Sequence, residues 1–295
     1  MTKIALFCDA PKTVGGILKY CESLKQLLEC SGNFSVHVFS LKPARRIFSF
    51  PVYDRKAIKE ALLSEDFDII HINGFISTIP FFVTSVMKSL GMRKPLVYTP
   101  HAHPFYTLNH PLRNKIFFHL FVKPALRNAD SVISINKEDC AFFRRHNGNV
   151  VTIPHWSERD IEVHPKAARE KPVILFVGRN DANKNLAALY SLPRGKYEVI
   201  CVTNTNPERD DFVFKTRISD DELSALYASA SLTVVPSRYE AFSYTALESL
   251  LSGTPVLLSN RVRIADFLEG VSGVTVYDFE MPEEFAVKID EAMGK

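Results

Sequence analysis

Two glutamates, Glu240 and Glu248, lie in a segment that passes from a predicted strand through a loop into a predicted helix. Seven residues separate them, so that Glu240 falls in the loop and Glu248 in the second helical turn. The first N–H groups of a helix have no intrahelical acceptor and form an anion site. Here these groups belong to Phe242, Ser243, Tyr244 and Thr245. One carboxylate beside this site could bind sugar hydroxyls and the other a ribose, whereas the alternative is two solvated surface glutamates.

Two cations follow the first predicted strand of the second half of the chain. Arg179 and Lys184 lie in the loop after Val173–Val177, and Gly178 is predicted to let the chain turn tightly as it leaves the strand. Arginine offers a two-pronged donor and lysine a point charge, a combination that suits a diphosphate. Two merely exposed cations are the alternative for a single loop of this kind.

In the first half of the chain, two glycines and a histidine also follow predicted strands. Gly15 and Gly16 join the first strand to the first helix and allow a ligand to approach the backbone closely. They do not form a GxGxxG pattern, and no acid ends the second strand, so a dinucleotide-binding fingerprint is rejected. His101 follows the fourth strand and is expected at its carboxyl end.

Both halves of the chain alternate short apolar runs with helical patterns, which predicts parallel sheets covered on both faces. The predicted strands of the first half are Ile4–Cys8, Val36–Ser40, Ile69–Asn73, Leu96–Thr99, Val132–Ile135 and Val150–Ile153. Those of the second half are Val173–Val177, Val199–Thr203, Phe212–Phe214, Leu232–Val235, Val256–Leu258 and Val274–Tyr277.

A proline-containing break at Pro154–Pro172 separates the two halves and predicts a linker. We therefore expect an α/β protein with two Rossmann-like doubly wound domains, at residues 1–165 and 166–295. Such sheets bind ligands outside the carboxyl ends of their strands, so two of them would face an interdomain cleft.

Composition narrows the class of protein further. Of 295 residues, 46% are hydrophobic and 23% charged, which is ordinary for a globular protein. Residues 1–165 carry 21 Lys+Arg against 14 Asp+Glu, whereas residues 166–295 carry 15 against 19. The basic half suits an anionic membrane surface or a phosphate-bearing ligand, but not a dedicated nucleic-acid binder.

Localisation is predicted from the cysteines, the N-terminal sequence and the apolar runs. The five cysteines are scattered without a CxxC pair, which is typical of reduced thiols in a cytosolic protein. The N-terminal residues do not resemble a signal peptide. The longest apolar runs, Ile79–Met87 and Ile116–Val122, are far below the ~20 residues of a spanning helix. We expect a cytoplasmic protein, with contact to the inner face of the membrane as an option.

Taken together, these segments closely resemble the retaining GT-B glycosyltransferases of glycosyltransferase family four. The matching segments are Gly15–Gly16, Asp68–Asn73, Thr99–His101, Asn128–Ser134, Gly178–Arg179 with Lys184, and Glu240 to Glu248. The resemblance implies transfer of a sugar from a nucleotide diphosphate, with UDP or GDP as the nucleotide, to a hydroxyl acceptor that is lipid-linked or part of a glycan. It implies no metal and no further cofactor.

The resemblance also assigns roles to residues. Arg179 and Lys184 would hold the donor diphosphate, Glu248 the ribose, and Glu240 the hydroxyls of the donor sugar. His101 would contact the donor sugar near the reaction centre. Ala241 and Ser243 stand where the family has glycines, which bears on the donor sugar. An epimerase or hydrolase of the same fold, or a degenerate nucleotide-sugar-binding scaffold, is the alternative.

Three other signals receive less weight. Asp66 and Asp68 fit the DXD pattern of metal-dependent transferases, but they precede a strand and should lie away from the cleft. His101, His103 and His110 lack cysteine or glutamate at zinc-ligand spacing. The segment Arg113–Arg127 contains both cationic and aromatic residues. This pattern predicts either a helix packed on the first sheet or an interfacial membrane helix.

Overall fold

The computed structural model describes residues 1–9, 16–47, 50–74, 77–106, 111–157, 170–207 and 209–294. The chain divides into two compact units, Met1–His155 and Trp156–Lys295. The predicted domain boundary between residues 165 and 166 lies outside the described residues, as do Gly15 and His110.

The first unit contains a six-stranded parallel sheet in the order β2-β1-β5-β6-β7-β8. Its strands are β1 Thr2–Asp9, β2 Phe34–Leu41, β5 Ile69–Asn73, β6 Leu96–Thr99, β7 Ser131–Ser134 and β8 Val150–Thr152. All six predicted strands are confirmed. An antiparallel hairpin, β3 Arg45–Ile47 and β4 Phe50–Val52, was not predicted.

Six α-helices of the first unit are described. They are α1 Gly16–Cys30, α2 Arg55–Leu63, α3 Ile79–Ser89, α4 Pro111–Phe117, α5 Lys123–Asn128 and α6 Lys137–Phe143. Residues of the central strands, of α3 and of α4–α5 form one buried core, with Phe7, Ile72 and Val83 fully buried.

The segment predicted as one helix over Arg113–Arg127 is divided by a π-helical turn at Phe118–Val122. Pro124 explains the interruption, because proline cannot donate a backbone hydrogen bond and its ring displaces the carbonyl four residues earlier. Phe117 and Phe118 are buried against the first sheet. The side of this segment that carries them therefore belongs to the core, as the first of the two interpretations predicted. Among the described residues, no helix is long and apolar enough to cross a bilayer.

The second unit repeats the plan with a parallel sheet in the order β11-β10-β9-β12-β13-β14. Its strands are β9 Val173–Val177, β10 Glu198–Val202, β11 Phe212–Lys215, β12 Leu232–Val235, β13 Val256–Ser259 and β14 Val274–Tyr277. Its α-helices are α7 Asp220–Ser229, α8 Tyr244–Leu251 and α9 Pro282–Ala292, with 3-10 helices at Leu186–Ser191 and Arg263–Phe267. The strand order reverses between β9 and β12, which is where doubly wound sheets bind ligands.

Candidate active site

An ion pair joins the loops that follow β9 and β12. Nζ of Lys184 donates to Oε1 of Glu240 at 2.8 Å, and the hydroxyl of Ser237 donates to the same oxygen at 2.5 Å. The side chains of Lys184 and Glu240 are 22% and 11% exposed. Oε2 of Glu240 takes no part in these bonds and accepts none from the other described residues. The structure therefore brings two predicted site residues together at the reversal point of the second sheet.

Asparagines that were not predicted as site residues tie the two loops together. The Asn183 amide donates to the carbonyl of Tyr239 at 2.9 Å, and the backbone N–H of Arg238 donates to the carbonyl of Asn183 at 2.7 Å. The Asn185 amide donates to the carbonyl of Pro236 at 3.1 Å. The asparagine-rich stretch after Arg179 is the signal that could have revealed this role, because short amides readily cap irregular backbone.

Gly178 is needed for a different reason from the predicted tight turn. Its φ lies outside the left-handed region, and its N–H continues the sheet by donating to the carbonyl of Val202 at 3.0 Å. A Cβ at this position would lie 3.2 Å from Cδ and 3.4 Å from Cγ of Lys184. The aliphatic part of Lys184 therefore lies over Gly178, and the absence of a side chain there lets the ammonium reach Glu240.

The predicted helix start after Glu240 is confirmed, since α8 begins at Tyr244. Ser243 is its N-cap residue, and its hydroxyl accepts from the N–H of Ala246 at 3.3 Å. Ser243 and Phe242 are buried, and the rings of Phe242 and Tyr244 meet edge to face at 5.6 Å. The Thr245 hydroxyl donates to the carbonyl of Val177 at 3.4 Å, which fixes α8 against the end of β9.

Glu248 lies in the second turn of α8, as predicted, and only 4% of it is exposed.

The backbone of Glu240 is hydrogen-bonded to the segment that follows β13. Its N–H donates to the carbonyl of Arg261 at 3.2 Å, and its carbonyl accepts from the N–H of Arg263 at 2.9 Å. The loop that carries Glu240 is thus fixed by the segment after β13 as well as by the loop after β9.

Arg179 stands apart from this pair in the structure. Its side chain is 71% exposed and pairs with Asp181 at 3.1 Å. Asp181 also accepts the backbone N–H of Lys184 at 2.9 Å through its other oxygen. Arg179 can therefore reach a ligand only by leaving a solvent-exposed ion pair, which costs little.

In the first unit, His101 follows β6 as predicted, but it is buried and uses both ring nitrogens within the protein. Its Nε2 lies 3.0 Å from Oδ1 of Asn73, and its Nδ1 lies 3.1 Å from Nε2 of His155. Because an amide oxygen only accepts, Nε2 of His101 carries the proton and Nδ1 accepts from His155. The Tyr20 ring contacts both imidazoles, with centroids 4.8 Å from His101 and 4.6 Å from His155.

Burial keeps these imidazoles neutral. Desolvation lowers the pKa of His155 to about 3 and that of His71, whose Nε2 lies 2.8 Å from the Thr99 hydroxyl, to about 4. The pKa of His101 is also well below its ordinary value, mainly through burial and then through His155 and His71. His101 is thus a neutral group of fixed orientation.

The aspartates and the histidine that were considered as metal ligands belong to the first unit, whereas the Lys184–Glu240 pair belongs to the second. Asp66 pairs with Lys94 at 2.8 Å, and Asp68 accepts the backbone N–H of Lys3 at 2.8 Å, both at the amino end of β5. His103 stacks on Tyr106 with ring centroids 4.0 Å apart. Within the part of the chain that the structure describes, no group of three or more His, Cys, Asp or Glu is placed to hold a metal ion.

Comparisons with known proteins agree with this architecture. The family model described as Glycosyltransferase Family 4 matches residues 20–157, and the one described as Glycosyl transferases group 1 matches residues 171–295. An uncharacterised 41.2 kDa protein in the cps region of Klebsiella pneumoniae is 23% identical over 74% of this chain and 68% of its own length.

A second relative and a solved structure extend the comparison. The GDP-mannose:cellobiosyl-diphosphopolyprenol alpha-mannosyltransferase of Komagataeibacter xylinus is 23% identical over 71% of this chain and 58% of its own length. Sucrose-phosphate synthase from Thermosynechococcus elongatus superposes with a TM-score of 0.75 at 20% identity, covering 100% of this chain and 90% of that one. The two family models together span most of the sequence, and the chain therefore belongs to the family-four, or group 1, glycosyltransferases with the GT-B fold.

Proposed function

We propose that this glycosyltransferase moves a sugar, with retention of anomeric configuration, from a nucleotide diphosphate sugar to a hydroxyl acceptor. The observation that carries the proposal is the Lys184–Glu240 pair, which lies beside the start of α8 at the reversal point of the second sheet. This place combines a cation, a carboxylate with an available oxygen, and helix N–H groups. These three kinds of group together suit a phosphorylated sugar, because cations and helix N–H groups bind phosphate and a carboxylate accepts sugar hydroxyls.

The proposed roles follow from the chemistry of each group. Lys184 would turn from Glu240 to the diphosphate and neutralise the charge that develops as the sugar–phosphate bond breaks. Glu240 would accept hydroxyls of the donor sugar through Oε2. Arg179 would leave Asp181 to add a second cation, and Glu248 would accept from the ribose. The leaving phosphate would take the proton of the acceptor hydroxyl, so that the protein mainly positions the substrates.

We also propose that this positive charge comes from side chains and the α8 start rather than from a metal ion. The support is the chemistry of the site: Lys184 and Arg179 are cations, and the acids beside them, Glu240 and Asp181, are each paired with one of them. Full activity after treatment with EDTA is the expected result, and restoration of lost activity by Mg²⁺ or Mn²⁺ would contradict it.

The acceptor is proposed to be lipid-linked, at an anionic membrane surface. The mannosyltransferase of K. xylinus is named for a diphosphopolyprenol acceptor. In this chain the outer face of α4 and the π-helical turn exposes Leu112, Ile116 and Leu120 by 73%, 50% and 55%. We call these three residues the apolar stripe. Their spacing of four places them in a row along one side of the segment.

The charge around the apolar stripe favours an anionic surface. Residues 69–129 contain no Asp or Glu but seven Lys or Arg. Beside the stripe, Lys115 and Arg127 are exposed and Lys123 is partly exposed. Lys123, Arg127 and Arg145 lie close enough to His146 to lower its pKa, after burial as the main cause. Exposed apolar side chains with cations nearby are more favourable at an anionic membrane surface than in water, because the apolar groups leave water and the cations meet negative charge.

A nucleotide screen followed by a transfer assay tests the catalytic proposal. Thermal unfolding is measured with UDP, GDP, ADP and dTDP, and the nucleotide that raises Tm selects the donor sugars for incubation with octyl glycosides. A ligand at 100 times its Kd adds about 2.7 kcal/mol of stability. A transferred product with retained configuration is expected. Release of free sugar without transfer would indicate a hydrolase. Conversion of the donor sugar to an isomer would indicate an epimerase, and nucleotide binding without any turnover would indicate a degenerate scaffold.

A further inference from the structure

The first sheet has its own reversal point, between β1 and β5. From β1 the chain moves outward to β2, and then returns to the other side of β1 to form β5, β6, β7 and β8. Asp9 is the last residue of β1, while Gly74 and Ser77 follow β5. In doubly wound sheets the carboxyl ends of two such strands border the ligand crevice. Asp9 was not predicted as a site residue.

Among the described residues, one oxygen of the Asp9 carboxylate is hydrogen-bonded. The Ser77 hydroxyl donates to Oδ1 of Asp9 at 3.0 Å and lies 3.3 Å from the hydroxyl of Tyr53. Oδ2 of Asp9 accepts no hydrogen bond from the residues that the structure describes. An oxygen of this kind, on a partly buried carboxylate, can accept hydrogen bonds from a ligand.

Gly74 lies beside that oxygen and has no side chain. Its φ is +136°, and a Cβ there would lie 3.3 Å from Oδ2 of Asp9 and 3.4 Å from Cβ of Ser77. A side chain at this position would therefore be strained and would lie over the carboxylate. The carbonyl of Gly74 is fixed by the hydroxyl of Tyr98 at 3.0 Å. Glycine at position 74 thus keeps a side chain away from the carboxylate.

The energetics of Asp9 favour a ligand-binding role over a structural one. Burial raises the pKa of Asp9 to about 6. The hydrogen bond from Ser77 and the positive charge of Arg46 act in the opposite direction but are weaker than the effect of burial. Among the residues that the structure describes, the titratable groups facing it are Arg46 of β3, Tyr53, Tyr98 of β6 and the neighbouring Cys8. A largely buried carboxylate whose pKa is raised by burial destabilises the fold near neutral pH, and such groups concentrate at functional sites.

We propose that Asp9, with Ser77 and Tyr53 beside it, binds hydroxyl groups of the acceptor, which is therefore a polyol such as a sugar residue. This inference rests on the proposed glycosyl transfer and names the part of the acceptor that the first unit recognises. A carboxylate oxygen can accept from two hydroxyls at once, so Oδ2 of Asp9 alone can bind a pair of acceptor hydroxyls. The buried Ser77 hydroxyl, which donates to Oδ1 and accepts from the N–H of Ile79 at 3.0 Å, holds the carboxylate in place. An acceptor with one isolated hydroxyl would use only part of the capacity of Oδ2.

The test compares Asp9→Asn with the wild type using octyl glycosides as acceptors. Loss of a hydrogen bond to a charged group should lower kcat/KM for the acceptor about 10- to 100-fold. The KM for the donor and the nucleotide-induced Tm shift should not change. In the wild type, kcat/KM for the acceptor should rise as the pH passes 6, where the carboxylate forms, and this inflection should be absent from Asp9→Asn.

Asp68→Asn is the matched control, because Asp68 accepts a backbone N–H at the opposite edge of the same sheet. We expect it to lower Tm without changing the acceptor KM. Asp9→Asn, in contrast, should raise Tm at pH 7.5, since it removes a charge that the fold disfavours. A lower Tm with an unchanged acceptor KM would show that Asp9 is structural and would overturn the proposal.

A binding measurement separates this inference from the proposed catalysis. Saturation-transfer NMR detects contact between the enzyme and octyl glycosides without turnover. Contact in the wild type and its loss in Asp9→Asn would support the polyol site even if no transfer were found. Equal contact in both proteins, or none with any glycoside in the wild type, would overturn it.

Discussion

The Lys184 ammonium and the Glu240 carboxylate meet at 2.8 Å, although 56 positions separate them in the chain. They meet because β9 and β12 are neighbouring strands and each is followed by one of the two loops. Both groups are mostly shielded from solvent, so each is the main counter-charge of the other in the absence of a ligand. Under the proposed function, a diphosphate entering the site would compete with Glu240 for Lys184, and donor binding would then be coupled to the release of the glutamate.

Lys184→Ala and Glu240→Ala should each nearly abolish transfer and leave the fold intact. Loss of one group that stabilises the charge of the transition state lowers the rate by about 10²–10³-fold. The double variant should lose much less than the product of the two single effects, because the side chains contact each other. Steady-state kinetics of all three variants checks this, with far-UV circular dichroism to verify folding.

An exposed ion pair in the same unit supplies the control. Arg194 and Asp210 pair at 3.1 Å with side chains 65% and 82% exposed. Arg194→Ala and Asp210→Ala should leave kcat/KM unchanged, since exposed pairs contribute little. Near-normal turnover in Lys184→Ala or Glu240→Ala would refute the roles proposed for this pair.

Gly178→Ala should impair catalysis through Lys184 rather than through the backbone. The added methyl group would lie 3.2 Å from Cδ of Lys184 and would displace the chain that carries the ammonium. We expect kcat to fall at least tenfold with a Tm change of a few degrees at most, because the φ of Gly178 is open to alanine. Gly148→Ala is the control, since a Cβ there meets nothing within 4 Å. Equal activity of the two variants would contradict this account of Gly178.

The sheets could be predicted from the sequence because their central strands, such as β1, β9 and β12, are buried on both faces. Such strands do not need to alternate apolar with polar residues, and runs such as Val173–Val177 remain apolar throughout. The β3–β4 hairpin could not be predicted, because Arg45, Arg46 and Ile47 are all exposed and give no burial pattern. The π-helical turn before Pro124 was missed for a related reason, since helical spacing alone does not show where a proline shifts the register.

The candidate site could be predicted only where motif spacing carries the chemistry. Lys184 and Glu240 were found in this way, and their contact agrees with the expected assembly of the two loops. The supports of the site, Asn183 and Ser237, were not found, because single asparagines and serines are common in loops. Asp9 was missed because a carboxylate at a strand end looks ordinary until its burial and its hydrogen bond from Ser77 are known.

The buried histidines predict an acid-sensitive first unit. The native pKa values of His71 and His155, about 4 and about 3, lie below the ordinary value of 6.5. Between pH 6.5 and 4 the unfolded chain therefore binds protons that the fold excludes, and the free energy of unfolding falls as the pH falls. His71 alone should account for about 3 kcal/mol of this loss by pH 4. Asp9 acts in the opposite direction below pH 6, because its raised pKa makes the fold bind a proton first.

Urea unfolding from pH 7.5 to 4 measures this effect in the wild type and in His155→Phe. The variant should show a shallower loss of stability below pH 6.5, while the exposed His119→Asn should match the wild type. NMR of ¹⁵N-labelled histidine adds a direct readout, since His101 should carry its proton on Nε2 in the wild type. A wild type whose stability does not change between pH 6.5 and 4.5 would contradict the buried neutral state.

The apolar stripe predicts binding to anionic membranes. Ile116→Asp places a negative charge in the middle of the stripe, where Ile116 is 50% exposed, and so should disrupt membrane contact without disturbing the core. We expect the wild type to float with vesicles containing phosphatidylglycerol at low salt and to be released by high salt, because its cations contribute about 1 kcal/mol each near such a surface. Val287→Asp, at a site 69% exposed on α9 of the second unit, is the control and should float like the wild type. Failure of the wild type to bind these vesicles at low salt would rule out the membrane contact, and equal flotation of Ile116→Asp would place it elsewhere on the chain.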